Sequence, residues 1–297
     1  MANPPSSKSP AGSRPPQKKP AQKSAGRPAG LFTWILVGLV VVVIAAIVIV
    51  KISNGSSAFV AHPISQNMYG EITGVPMSTF NTVGVTSPAV AVSPIGQTKN
   101  TPVLKWADSN GVVRPTFYYQ GAEYCPYCAA ERWPMIIALS RFGTWKDLYT
   151  MISAPAPEYF PNTPTFTFLH ATYTSNYINF FSTETQTRDH QQLQTPTAQQ
   201  NAVVAKFDPP PSSIPFATIG NQAIIIGANP SPSALVGNSR EQISSILADP
   251  TNPLAQGLIA AANYISSAIC HMDGQAPASV CTSPGVKAAN VKMGYKS

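Results

Sequence analysis

Charge is what this chain has least of. Only 10% of its 297 residues are Asp, Glu, Lys or Arg, against about a quarter in ordinary globular domains. Acids are missing altogether from residues 1–30, which carry Lys8, Arg14, Lys18, Lys19, Lys23 and Arg27. Lys51 is the next base, and the remainder holds twelve bases and twelve acids. The net charge of +7 thus belongs to one end of the chain, which argues against a nucleic-acid partner. Cysteine is absent before position 125. There is no glycine-rich phosphate loop, no Ser-His-Asp arrangement and no metal motif of regular spacing. No cofactor and no resident metal are therefore expected.

Hydrophobic residues make up 44% of the chain, and prolines are frequent, at thirty. Residues 1–30 consist mainly of Pro, Ser, Ala, Lys and Gly. Such a segment buries too little surface to offset its chain entropy and is expected to be a disordered basic tail. Leu31 to Ile52 follows as an apolar run, uncharged until Lys51, with Trp34 near one end. Some twenty such residues in a helix match the ~30 Å hydrocarbon core of a bilayer. The rival reading is a cleaved signal peptide with Ser56-Ser57-Ala58 as the cleavage site, although the run exceeds the usual ~7–15 residue core of a signal. Bases on the N-terminal side predict a cytoplasmic N-terminus and an extracytoplasmic domain beyond Lys51. Asn54-Gly55-Ser56 matches a glycosylation sequon.

Residues 53–101 read as a spacer and N-terminal cap broken by Pro88, Pro94, Gly96 and Pro102, with a short helix starting near Val75-Pro76. The main domain is expected over 102–285, with a flexible tail at 286–297. Val103–Trp106 is a short strand, and Asp108–Gly111 is a hairpin turn. Arg114–Gln120 is the next strand, and Ala129–Phe142 is a helix with Met135, Ile136, Leu139 and Phe142 on one face and Pro134 as a kink. Strands follow at 148–153, 165–170, 177–184, 214–221 and 223–227, and helices at 189–206, 240–247 and 254–270. In the last, Leu254, Leu258, Ala261, Ala262, Ile265 and Ile269 make a stripe suited to core packing.

Between the second strand and the first long helix lies Cys125-Pro126-Tyr127-Cys128. This spacing puts two thiols at a helix N-terminus, where unpaired N–H groups and the helix dipole favour a thiolate. One cysteine can attack a disulfide and the other, a turn on, can resolve the product. Cys125 is the candidate nucleophile, Cys128 the resolving thiol, and Tyr127 a groove residue. Glu131, three residues past Cys128, is a candidate proton acceptor. Cys270 and Cys281 are expected to close a loop as a disulfide. A redox-relay pair, or a zinc set with Cys125, Cys128 and His271, are alternatives for them.

A strand, a CxxC helix, further strands and an Ile214-Pro215 strand entry about 90 residues on resemble the thioredoxin fold. That resemblance implies an α/β fold with a three-layer core and a central mixed sheet. It also implies a cis Pro215 facing the CxxC, with Ile214, Pro126 and Tyr127 lining the substrate groove. Within the superfamily, Cys125–Trp133 with Ser140-Arg141-Phe142-Gly143, Ile214-Pro215-Phe216 with Gly220-Asn221, and Ala261–Ile265 with Ile269-Cys270 resemble one group. This is an uncharacterised membrane-anchored family of archaea and actinobacteria, catalogued as domain of unknown function 929. The resemblance spans roughly residues 70–285 and implies a fold and an anchor, not a substrate. Cys-Pro-Tyr-Cys is also the glutaredoxin motif, but no other glutathione-site hallmark is present. The expected function is an extracytoplasmic, membrane-anchored thiol–disulfide oxidoreductase. Its partners would be exported protein thiols or disulfides, the lipid bilayer and a separate membrane redox partner. The alternative is a non-enzymatic binding domain in which Cys125 and Cys128 form a structural bridge.

Overall fold

A computed structural model describes residues 37–44 and 60–295. Residues 37–44 form an exposed helical segment, α1. The chain divides into two units, Met1–Ala58 and Phe59–Ser297. Apart from α1, the expected membrane span at 31–52 lies outside the described residues. So do the basic tail and the Asn54 sequon. Among the described residues no helix is long and apolar enough to cross a membrane.

The second unit opens with β1 (His62–Pro63), α2 (Gln66–Thr73), α3 (Met77–Val83) and β2 (Gly96–Gln97). β3 (Lys105–Ala107) and β4 (Val113–Gly121) form an antiparallel hairpin. Its turn is closed by the Asp108 carboxylate, which accepts the N–H groups of Asn110 and Val112 at 2.9 Å. After β4 come α4 (Pro126–Leu139), β5 (Gly143–Lys146), β6 (Tyr149–Ile152), β7 (Pro164–Thr167), β8 (Thr172–Ser175) and β9 (Asn179–Glu184). The chain continues through α5 (Ala198–Phe207), β10 (Phe216–Ile219), β11 (Ala223–Ile226) and α6 (Arg240–Ser245). It ends with α7 (Pro253–Asp273), α8 (Ala278–Cys281) and α9 (Pro284–Met293).

The main sheet is mixed. β4 pairs antiparallel with β10 and β3 but parallel with β9, while β11 and β2 extend the sheet beyond β10. Two smaller sheets are formed by β1, β6 and β7 and by β5 and β8. Alternation along the strands sorts residues between two faces. Phe117 and Tyr119 of β4, Ala217 and Ile219 of β10, and Ala223 and Ile225 of β11 join one core with α4 and α7. Their alternates Tyr118, Phe216 and Ile224 join a second core with Val203 and Val204 of α5. Helices therefore cover both faces of a central mixed sheet.

The period of α4 predicts one buried face, yet every residue of the helix except Tyr127 is buried. The cause is β7, which covers the other side. Trp133 Nε1 donates to the Pro164 carbonyl at 2.9 Å, Thr165 Oγ1 donates to the Ala129 carbonyl at 2.8 Å, and Phe166 packs edge-on to Trp133. A helix buried all round reads as apolar on every face.

The expected boundaries of 102 and 285 are too narrow. Met68, Ile72, Phe80 and Val83 of α2 and α3 belong to the same core as α7, and so do Val286, Ala289 and Met293 of α9. The tail expected from residue 286 is thus helical as far as Met293. It begins with Pro284 at the first turn and buries one apolar face. Asn263, in the middle of α7, holds these pieces together. Its Nδ2 donates to the Phe80 and Gly84 carbonyls at 2.9 and 2.7 Å, and its Oδ1 accepts from Arg141 at 3.1 Å. Replacing Asn263 with Leu takes the side-chain donor from the buried Phe80 and Gly84 carbonyls and one acceptor from the Arg141 guanidinium, which keeps Ser266 and Ser283. It should cost about 2–4 kcal/mol, read as a lower urea midpoint at unchanged slope.

Candidate thiol site at the start of a buried helix

Cys125 is the N-cap of α4. Its extended backbone leads into the helix, and its Sγ accepts the Cys128 N–H at 3.3 Å. Pro126 occupies the first turn, where no intrahelical N–H is needed. Both cysteines are free thiols, with Cys125 5% exposed and Cys128 fully enclosed. They pack with Ala122, Tyr124 and Ile214 in a small cluster of their own.

The Ile214–Pro215 peptide is cis. The Ile214 carbonyl accepts from the Cys125 thiol at 3.8 Å. Pro215 directly precedes β10, the strand beside β4, so the thiol and the proline meet across neighbouring elements. Tyr127 is 39% exposed and stands edge-on to Phe160 at 5.9 Å. Tyr124 lies against the His190 ring at 4.0 Å, and His190 is 3.5 Å from Glu158. The two tyrosines that flank Cys125 in the sequence near the helix start thus each meet a ring from a loop. Tyr159, Phe160 and His190 come from loops, and no spacing in the sequence signals their approach.

The two thiols are held apart electrostatically. A hydrogen bond from the Cys128 thiol, helped by the Cys128 N–H and the positive charge of Arg132, holds Cys125 below the ordinary thiol range against the effect of burial. Burial pushes Cys128 well up, with the neighbouring Cys125 acting in the same direction. The outer cysteine is thus the easier thiolate and the inner one holds its proton more firmly.

Beneath the thiols lies a fully buried ion pair. Arg132 Nε and Nη2 donate to the two carboxylate oxygens of Glu184 at 3.0 and 2.7 Å, and Nη2 also donates to the Ala122 carbonyl at 3.0 Å. Glu184 ends β9, directly opposite Gly121 in the parallel register. The sequence carries no local signal for this pair, since the partner of Arg132 lies 52 residues away. Glu123, the other nearby acid, is raised by burial and accepts the Thr167 hydroxyl at 2.7 Å.

Glu131, the candidate proton acceptor, is directed elsewhere. Its Oε2 accepts the Asn229 N–H at 2.8 Å, and the side chain lines a cavity bounded by β2, β11 and α7. The α4 charge that acts on both thiols is Arg132. Cys270 and Cys281 are disulfide-bonded to each other, joining α7 to α8. The five-residue set considered for zinc is therefore not assembled, and among the described residues no three His, Cys, Asp or Glu side chains cluster as metal ligands.

Residues 108–213 match the family model described as a domain of unknown function, DUF929. The matched segment holds β4, the CxxC helix, the Glu184 end of β9 and α5. No curated protein and no solved structure matches the chain.

The asymmetry of the thiols is directly measurable. At pH 7.5, iodoacetamide should modify Cys125 at least about tenfold faster than Cys128 in the folded protein, read by peptide mass spectrometry. Denaturation should equalise the two. Equal rates in the folded state would contradict the arrangement.

Proposed function

We propose that the protein is a membrane-anchored thiol–disulfide oxidoreductase of thioredoxin-like build, acting on exported proteins. The observation that carries the reading is the approach of the Cys125 sulfur to the Ile214 carbonyl at the cis Pro215 peptide. A reactive sulfur, a free helix N-terminus and an adjoining strand entry there give a substrate segment both a nucleophile and a main-chain edge. The parallel β4–β9 pairing and helices on both sheet faces support the thioredoxin-like description.

In the reducing direction, the Cys125 thiolate attacks one sulfur of a substrate disulfide. A Cys125–substrate disulfide forms, and the second substrate sulfur leaves as thiolate and takes up a proton. Cys125 has then lost its own hydrogen-bond role toward Cys128. The Cys128 thiol gives up its proton, its sulfur attacks Cys125, and the Cys125–Cys128 disulfide forms as the first substrate sulfur departs and is protonated. Two electrons pass from enzyme to substrate, and the two thiol protons are balanced by two substrate thiols. The oxidising direction is the reverse sequence, beginning with a substrate thiolate on the Cys125–Cys128 disulfide. Pro126, Tyr127 and Ile214 line the groove in either direction. A separate membrane partner would reset the pair.

The apolar run at 31–52 supplies the anchor in this reading, with the basic residues before it on the cytoplasmic side. Protease added to intact cells should then digest the C-terminal unit and spare the segment before Leu31. The converse pattern would overturn the topology.

Cys128→Ala should accumulate covalent adducts between Cys125 and exported proteins, released by dithiothreitol on a non-reducing gel. Cys125→Ala should form none. Absence of adducts from a folded Cys128→Ala protein would remove the oxidoreductase reading.

A further inference from the structure

The thiol chemistry leaves one buried acid unused. Glu131 is 1% exposed, and among the described residues no Lys, Arg or His is ion-paired with it. It lines a cavity of about 690 Å3, a size suited to a small organic molecule. The walls are mostly apolar, with Ile95, Phe207, Ile224, Ile226, Ala261 and Ile265 contributing, and Glu131 is the one ionisable side chain among the residues lining it.

We propose that this cavity binds a small organic ammonium compound with an apolar body, its nitrogen donating to the Glu131 carboxylate. Three observations lead there. The hydrogen bond that Glu131 receives comes from a main-chain N–H, that of Asn229, which favours the ionised carboxyl. That donor is itself fixed: Asn229 precedes a cis peptide to Pro230, its Nδ2 donates to the Ser93 carbonyl at 2.6 Å, and its Oδ1 accepts the Ser93 N–H at 3.1 Å. One residue thus ties together two parts of the cavity lining, Ser93 through its side chain and Glu131 through its main chain. What the carboxylate lacks is a countercharge, and burial without one raises its pKa to about 8. Burying a charge is costly unless it is paired, so a cation with an apolar body satisfies the acid and the isoleucine walls together. An anion would add a second unpaired negative charge, and a neutral alcohol would leave the carboxylate uncompensated.

The site is distinct from the sulfurs and does not rest on their chemistry. It is tested on the full chain by titration with two probes of the same shape, benzylammonium and benzyl alcohol, read from shifts of the Ile95, Ile224 and Ile265 methyl resonances. Benzylammonium should bind the native chain at least about tenfold more tightly than Glu131→Gln, and benzyl alcohol should bind the two alike. Ala91 lines the cavity, so Ala91→Trp fills part of it while leaving Glu131 in place and should abolish binding of both. Equal benzylammonium affinity for native protein and Glu131→Gln overturns the proposal. So does absence of binding to the native chain, or full binding to Ala91→Trp. Should Glu131→Gln not fold, the Ala91→Trp comparison and the carboxyl 13C shift of Glu131 on adding benzylammonium decide the matter. An unmoved carboxyl resonance rejects the contact.

Discussion

The Arg132–Glu184 pair is the constraint on which the site depends. Both side chains are fully buried, so each charge needs the other. Removing one partner of such a pair costs about 3–5 kcal/mol, because the remaining charge is left in a medium that cannot solvate it. Arg132 belongs to the CxxC helix and Glu184 to the far end of the parallel strand. Satisfying the pair fixes how α4 is turned over the sheet. Glu184 also accepts the Phe168 N–H at 3.2 Å, and its own N–H donates to Gln194 at 2.7 Å. The loops on either side of β9 are tied to the same residue, one through its carboxylate and one through its main-chain N–H. The placement of α4 beneath the two sulfurs thus follows from a charge balance about one turn beyond Cys128.

The approach of strand to helix is equally strict. A Cβ at Gly121 would stand 2.1 Å from the Tyr119 hydroxyl and 3.0 Å from the Cys128 sulfur. The end of β4 can therefore lie against Cys128 only without a side chain there. Tyr119 is enclosed, and among the described residues its hydroxyl and one terminal nitrogen of Arg132 have no hydrogen-bond partner. Both donors lie in the interior that encloses Cys128, where the positive charge of Arg132 opposes the effect of burial on that thiol. Unsatisfied groups of this kind in a well-packed interior are typical of places where function overrides packing.

Much of this was legible in the residues themselves. Alternation in 113–121 and 214–227, the Asn110-Gly111 turn and the Pro126 helix start are local signals, and each element forms near where its signal lies. The parts that were not legible depend on contacts distant in sequence. Nothing in Arg132 or Glu184 separately says that they meet, because a charged residue in a helical pattern is ordinarily a solvated one. The buried polar residues of α7 look like the gaps of an amphipathic stripe, but Asn263 serves the backbone of α3. The same ambiguity hid α9: a ten-residue helix with few large apolar side chains resembles a tail until α7 is there to cover it. Glu131 was read by helical spacing from Cys128, and spacing does not reveal that the Asn229 loop would claim its carboxylate.

α4 therefore carries two different electrostatic problems on one buried rod. Toward Cys125 and Cys128, the positive charge of Arg132 favours thiolate and is itself neutralised by Glu184. Toward the cavity, Glu131 is held by a backbone dipole alone. Consecutive residues on a helix point about 100° apart, so Glu131 and Arg132 serve separate surroundings without screening one another. In a chain with so few charges, a buried acid with no ion-paired cation among the described residues is not an average feature of the composition. Its desolvation is a standing cost, and protonation relieves that cost only by discarding the charge that the Asn229 N–H is placed to receive. A cationic occupant resolves the conflict while keeping the hydrogen bond, which is why the acid and the cavity are better explained together than apart.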